Sequence, residues 1–474
     1  MDIGLTESNY IDGRWVSNNI EQWFTIVSPS DERPLGRLPL SNAEVVDQAV
    51  AAAKRAFPSF SQTDKATRLA LLEKILTIYT RRYEEMAQAI SCEMGAPISM
   101  SRNAQVAVGS GLLKSISATL ASFDFVSQRD SAEIRKEPIG VAGLITPWNW
   151  PMNQIVAKVG AAIAAGCCMV LKPSEYAPYS AALFAEILDE AGVPAGVFNL
   201  VQGNYIAGAA LTRHPDVDLI SITGSTRAGV EVATAAAPTI KRVTQELGGK
   251  SPYVILPGSD IVSAVSHCVE RCFYNSGQSC NAPTRLLVHS DDYDQVVTTA
   301  KAVADKMKVG DPADESTILG PLVNEQQFER VCHYIARGKE EGASVIVGGH
   351  PSRLAGFAKG YYVAPTIFGD VESTMSIARE EIFGPVLCIL RYDTVADAVA
   401  MANDTEFGLS AYLFAKTSAE AKELAPSIRA GMVHINGAAA ALDLPFGGFK
   451  KSGNGRERGI WGIEEYLEVK AVFY

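Results

Sequence analysis

Between residues 134 and 236, short apolar runs alternate with helix-forming stretches, and this restricts the fold more than any other feature of the chain. Val141-Ala142-Gly143-Leu144-Ile145, Cys168-Met169-Val170-Leu171, Val197 to Val201 and Leu219-Ile220-Ser221-Ile222 read as strands. Helical stretches run from about Asn153 to Ala165 and from Ala181 to Ala191, with a short one after Val201 and another from Ala228. Short strands that alternate with helices specify a parallel sheet with helices on both faces. Such a sheet collects ligands at the carboxyl ends of its strands. Asn149, Lys172, Glu175, Gly224 and Ser225 follow those ends and are predicted to share one rim.

The flanking segments extend the picture. Tyr10 to Trp15 carries a Gly turn between strand-like halves. Amphipathic helices are predicted over about Asn42 to Ser59 and Lys65 to Ile90, the second with Leu69, Leu72, Ile75, Leu76 and Tyr79 at helical spacing. A further helix, about Ser99 to Phe123, reads as scaffold. From Ser251 to about Phe449 a second α/β unit is expected, with strands at Pro252 to Leu256, Arg285 to Val288, Val345 to Val347, Val386 to Leu390 and Met432 to Asn436. Helices through Val262 to Phe273 and Val296 to Met307 belong to it, and a last strand covers Leu467 to Phe473. A chain of 474 residues exceeds what one core fills, so two or three domains are expected.

Charge and cysteines narrow the partners. A formal charge of −11 argues against nucleic acid and against an anionic membrane surface. The opening residues lack a basic segment followed by an apolar one, so no secretory signal is expected. The longest apolar run, Val159 to Leu171, is too short to span a bilayer. Eight cysteines in so long a chain form no disulfide framework, which fits the reducing cytoplasm. His267, Cys268 and Cys272 lie close together, yet no C-x2-C pair accompanies them and no metal site is expected.

Most of the cysteines sit in apolar runs. Cys280 does not: Asn275-Ser276-Gly277-Gln278-Ser279-Cys280-Asn281 surrounds it with small and polar residues, as a reachable nucleophile requires. Glu246, in Glu246-Leu247-Gly248-Gly249-Lys250, is a carboxylate at a strand end and a candidate general base for it. The rim reads as a dinucleotide site although no G-x-G-x-x-G is present. Gly224-Ser225 opens a helix, where free N–H groups meet a phosphate. Glu175 and Lys172 suit ribose hydroxyls, and a carboxylate there repels a 2′-phosphate. A plain solvated Lys172–Glu175 loop pair accounts for the same spacing equally well.

In this order, the pieces resemble the NAD(P)-dependent aldehyde dehydrogenase superfamily. The resemblance covers nearly the whole chain and rests on TPWNWP at 146–151, LKPSE at 171–175, ITGS at 222–225, ELGGK at 246–250, GQSC at 277–280, EEIFGPV at 380–386 and PFGGFKKSG at 445–453. It implies two Rossmann-type parallel α/β domains plus a small β oligomerisation hairpin. The NAD-binding domain would take 1–118 and 139–250, and the catalytic domain 251–450. The oligomerisation segments would be 119–138 and 462–474, the hairpin pairing with the C-terminal strand of a neighbour in a homodimer or homotetramer.

By resemblance, Cys280 attacks the aldehyde to give a thiohemiacetal, Asn149 and the Cys280 N–H hold the oxyanion, and Glu246 activates the water that hydrolyses the thioester. The coenzyme, NAD with NADP as the second option, would lie on Thr146, Pro147, Trp148, Lys172, Ser174, Glu175, Gly224, Ser225, Leu247, Gly248, Glu381 and Phe383. Trp150, Asn281 and Phe446 would line the substrate tunnel. The loop from Asn436 to Pro445 is poor in aromatics, which suggests room for a medium-chain aliphatic or an aromatic aldehyde. No Arg lies in that loop or beside Cys280, which counts against a dicarboxylic semialdehyde. A semialdehyde dehydrogenase of a catabolic pathway is the alternative. A cysteine hydrolase using His267, His289 or His434, or an inactive binding protein on the same fold, would leave the rim or the preserved Cys280, Glu246 and Asn149 unexplained.

Overall fold

A computed structural model describes residues 6–17, 21–350 and 356–474. The strands Val141–Thr146, Cys168–Pro173, Phe198–Leu200, Leu219–Thr223 and Arg242–Glu246 form the parallel centre of an eight-stranded sheet. The hairpin Asn9–Ile11 with Arg14–Val16, Tyr10 opposite Trp15, closes one edge, and Gly453–Asn454 closes the other antiparallel to Gln245–Glu246. Register places Thr146 beside Pro173 and Thr223 beside Glu246, so the strand ends form one rim. The helix Pro151–Ala165 starts with Pro at its first position, ends at left-handed Gly166, and is buried along nearly its whole length. Its one cation, Lys158, is buried with it.

The second sheet has seven strands, in the order Ser344–Val347, Thr366–Gly369, Val386–Tyr392, Pro283–His289, Ser251–Ile255, Ser410–Phe414 and Met432–Ile435. All neighbours are parallel except the first pair. Only Leu247 to Lys250 separates Glu246, at the end of one sheet, from Ser251, at the start of the other.

Several predicted elements differ. The helix expected over Lys65 to Ile90 is two, Lys65–Arg81 and Tyr83–Met94, broken at Arg82 with φ −95° and ψ 21°. The Arg82 guanidinium spans the neighbouring Glu85 and the distant Glu186 there, and apolar periodicity registers neither contact. The scaffold helix contains a π-helical stretch, Ser101–Val106, before Ala107–Ser122, and such bulges cluster at functional sites. Here it aims Gln105, whose Nε2 donates to the Asn149 carbonyl at 3.0 Å.

The C-terminal strand also departs from expectation. Leu467–Phe473 pairs with Ala132–Pro138 of its own chain, Leu467 opposite Pro138 and Phe473 opposite Ala132, and Val126–Arg129 completes a three-stranded sheet. The Ile139 N–H donates to the Tyr466 carbonyl at 3.0 Å, so the two segments already lie side by side before the strand begins. Within the chain, Ala132–Pro138 thus lies between Val126–Arg129 and the chain's own C-terminal strand. Among the described residues, no helix is long and apolar enough to cross a membrane and no cluster of His, Cys, Asp or Glu could hold a metal ion.

Candidate functional site

Cys280 is presented by a strained turn. After the helix Ile261–Phe273, Asn275, Ser276 and Gly277 take φ of 57°, 54° and 73° in succession. Non-glycine residues hold that conformation only when their surroundings enforce it. Asn275 Nδ2 donates to the carbonyls of Asn149 (2.9 Å) and Gln278 (3.2 Å), and Ser276 Oγ donates to the Gly320 carbonyl at 2.8 Å. A Cβ on Gly277 would stand 2.1 Å from the Gly384 carbonyl oxygen, so only glycine fits.

Asn149 lies under this turn. Its Nδ2 donates to the Gln278 carbonyl at 3.0 Å, and Gln154 Nε2 donates to its Oδ1 at 3.0 Å. The amide is thus held with its donor toward the loop that carries Cys280. Burial, followed by the Glu381 and Glu246 carboxylates, pushes the Cys280 thiol up to about 12. The resting thiol keeps its proton.

Glu246 is buried, and neither carboxyl oxygen has a hydrogen-bond partner among the described residues. Burial raises it well above the usual carboxylate range. The nearby Glu457 raises it further, against the opposing pull of Lys158, Arg456 and Arg458. Lys158 Nζ donates to Glu457 Oε1 at 2.6 Å and to Ser221 Oγ at 3.0 Å. Lys158 and Glu457 were not among the predicted site residues. A lone lysine inside the apolar stretch of Ile155 to Ala165 is the one signal that could have found the first of them.

The rim residues meet in the expected place. Thr146 ends its strand with a buried hydroxyl lacking a partner, as does Thr223. Past Pro147, Trp148 meets Phe383 edge-on, ring centres 5.5 Å apart. Phe383 is held at φ 64°, and Gln327 Nε2 donates to its carbonyl at 2.8 Å. Glu381 Oε1 accepts the Gly249 N–H at 2.9 Å, and a Cβ on Gly248 would lie 2.3 Å from Glu381 Oε2. The Leu247 N–H donates to the Ser452 carbonyl at 2.9 Å.

Lys172 is buried, with its amine 3.5 Å from Glu175, so the two are not a plain solvated loop pair. Ser174 Oγ accepts the Tyr176 N–H at 3.3 Å. Ser225 caps the helix Thr226–Ala236 by accepting the Ala228 N–H. The Gly224 N–H, expected to be free, donates to the Glu246 carbonyl at 3.0 Å, because Gly224 continues the ladder between the two strands.

A cavity of about 290 Å³ opens over Cys280 and Glu246, with Trp150, Asn281 and Phe446 in its wall. Ala438, Ala439 and Ala440 keep one side open. Arg271 and Arg458 also line it, which corrects the expectation that no arginine serves this space. Both lie outside the Asn436 to Pro445 loop, Arg271 in the last turn of Ile261–Phe273 and Arg458 just before the helix Gly459–Glu464. His267, His289 and His434 instead meet Tyr253 OH, the Asp393 carbonyl and the Ala438 carbonyl, and among the described hydrogen bonds none joins a histidine to Cys280.

The aldehyde dehydrogenase family model matches residues 15–472. A 3-succinoylsemialdehyde-pyridine dehydrogenase from a Pseudomonas species is 49% identical over 98% of this chain and 97% of its own. A variant of aldehyde dehydrogenase C from Pseudomonas syringae, crystallised with NAD+ and octanal, superposes with a TM-score of 0.98 at 48% identity, covering 100% of this chain and 97% of that one. An aldehyde dehydrogenase from Bartonella henselae gives 0.97 at 45% identity, with 99% of each chain covered.

Proposed function

This chain belongs to the aldehyde dehydrogenase family, and from that premise we propose that Cys280, Asn149 and Glu246 convert an aldehyde to a carboxylic acid with NAD as coenzyme. The observation that carries the reading is the convergence of a buried, partnerless Glu246 carboxyl and the Cys280 thiol on one cavity, with the Asn149 amide aimed at the cysteine turn. Deprotonated Cys280 Sγ bonds to the aldehyde carbon, and the carbonyl electron pair moves onto oxygen. Asn149 Nδ2 and the Cys280 N–H hold that oxyanion, a task that preorganised donors in a dry site perform well. NAD supplies the acceptor for the hydride that leaves the thiohemiacetal carbon. Glu246, once ionised, takes a proton from the water that attacks the thioester. The carbon–sulfur bond then breaks, the acid departs and the sulfur regains its proton.

The rim fits the coenzyme. Buried hydroxyls on Thr146 and Thr223 await partners, and the buried Lys172 amine has only a long contact to Glu175. Lys172, Ser174 and Glu175 would take the adenosine ribose, and Gly224 and Ser225 would sit at the pyrophosphate. Thr146, Pro147, Trp148, Leu247, Gly248, Glu381 and Phe383 would surround the nicotinamide end. The Glu175 carboxylate favours NAD over NADP. Eight free thiols support a cytoplasmic setting, and exposed Val469 and Phe473 on the strand Leu467–Phe473, with Tyr474 after it, support a homodimer or homotetramer.

The open, alanine-lined cavity suits a medium-chain aliphatic or an aromatic aldehyde, in keeping with the octanal bound by the Pseudomonas syringae relative. NADH production with acetaldehyde, hexanal and benzaldehyde, measured with NAD and NADP in parallel, tests the reading. No rate with any aldehyde refutes it, and strong turnover of acetaldehyde beside weak turnover of the larger two refutes the open cavity.

A further inference from the structure

Arg458 is held in a way that packing alone does not require. Its backbone sits at φ 73° and ψ 161°, a region of the map that is essentially glycine-only. Its side chain is buried beside the reacting groups and lines the cavity over Cys280. One end is fixed: Nη2 donates to Asn153 Oδ1 at 3.0 Å, and the guanidinium lies 4.5 Å from the centre of the Phe446 ring. The other end is not, because Nε is buried without a hydrogen-bond partner. A buried donor left unmade is costly, and more so when it is charged.

The local charges sharpen this. Among the described residues no carboxylate lies within ion-pair distance of Arg458. Glu457 is already matched by Lys158 at 2.6 Å, and burial holds Glu246 above the usual carboxylate range. The guanidinium is thus a cation in the cavity wall with no carboxylate in direct contact, and desolvation lowers its own affinity for the proton. An apolar residue at this position would fill the space without an unmatched charge.

We propose that Arg458 is a specificity residue whose guanidinium receives a second oxygen of the substrate, a carboxylate or a ketone carried on the aldehyde's own chain. The proposal rests on the aldehyde-oxidising reading and deepens it: the preferred substrates are oxygen-bearing aldehydes. Asn153 and Phe446 orient the guanidinium, leaving Nη1, which makes no hydrogen bond to a described residue, for the incoming oxygen.

The test uses three aldehydes of matched length: hexanal, 5-oxohexanal and 5-oxopentanoate. In the wild-type protein, kcat/KM for one or both oxygenated aldehydes exceeds that for hexanal, and Arg458→Leu shrinks that ratio by about 10- to 150-fold, the range of a hydrogen bond to a charged group. Loss confined to 5-oxopentanoate identifies a carboxylate as the oxygen source, and loss with both identifies the carbonyl as sufficient. No wild-type preference, or an equal loss with all three, overturns the assignment. Should Arg458→Leu fail to fold, Arg458→Lys and Arg458→Gln serve in the same comparison. Calorimetric titration of Cys280→Ala, with and without Arg458→Leu, separates the two readings. If the wild type produces no NADH from any of the three, aldehyde oxidation is refuted, whereas binding of an oxygenated aldehyde that still depends on Arg458 upholds the recognition site. Binding indifferent to Arg458 refutes the site directly.

Discussion

Replacing Lys158 by Met removes one half of a buried ion pair. Lys158 is 1% exposed, and its amine lies 2.6 Å from Glu457 Oε1. The Met side chain fills much of the same volume, so the change isolates the charge. It strands the Glu457 carboxylate beside the Glu246 carboxyl, and breaking a buried pair in this way costs about 3–5 kcal/mol. For 474 residues, an unfolding entropy of about 2.1 cal/mol/K per residue comes to about 1 kcal/mol/K near the transition. The expected fall in Tm is therefore about 3–5 °C, read by calorimetry at a fixed scan rate. Adding Glu457→Gln to Lys158→Met removes the stranded charge and restores more than half of the loss. A fall below about 1 °C, or a double variant no better than the single one, would show that water reaches Glu457 and that the pair is not truly desolvated.

Other consequences are equally direct. Because burial raises both Glu246 and Cys280, the ionised forms gain population as pH rises, so turnover climbs with pH. Glu246→Gln slows thioester hydrolysis by about 10²- to 10⁴-fold and removes the lower limb of that profile, visible as an NADH burst without steady turnover. An unchanged profile would dismiss Glu246 as the base. Asn149→Ala lowers the acylation rate by about 10²- to 10³-fold in single-turnover measurements, while coenzyme binding by fluorescence stays the same. Gly277→Ala drives a methyl into the Gly384 carbonyl, so both activity and Tm fall; a fully active Gly277→Ala would mean that the turn is not fixed as described.

Much of the fold was legible because strands and helices of the first sheet announce themselves by period, and Leu467–Phe473 was placed to the residue. The candidate site residues were legible because ligands collect at strand ends: Asn149, Lys172 and Glu246 each stand where a strand stops. What stayed hidden depends on three-dimensional neighbours. The strands Thr366–Gly369 and Ser410–Phe414 are short segments whose identity comes from the partners flanking them in the sheet. Arg82 breaks a helix for the sake of two carboxylates, one of them about a hundred residues away. Arg458 escaped because proximity to Cys280 was judged along the chain, whereas the helix Gly459–Glu464 brings it back across the fold.

The edge strand Gly453–Asn454 carries a consequence in time. It pairs with Gln245 and Glu246, and Asn454 and Gln245 stand 209 residues apart in the sequence. At about 5–20 residues per second of synthesis, about 10–40 s pass between the emergence of Glu246 from the ribosome and that of its last sheet neighbour. Cys280 emerges in that interval, while the sheet that holds Glu246 still has an open edge. The nascent chain thus carries Cys280 before the strand of Glu246 is fixed on both sides, and the cavity between them closes only as the final segment folds home.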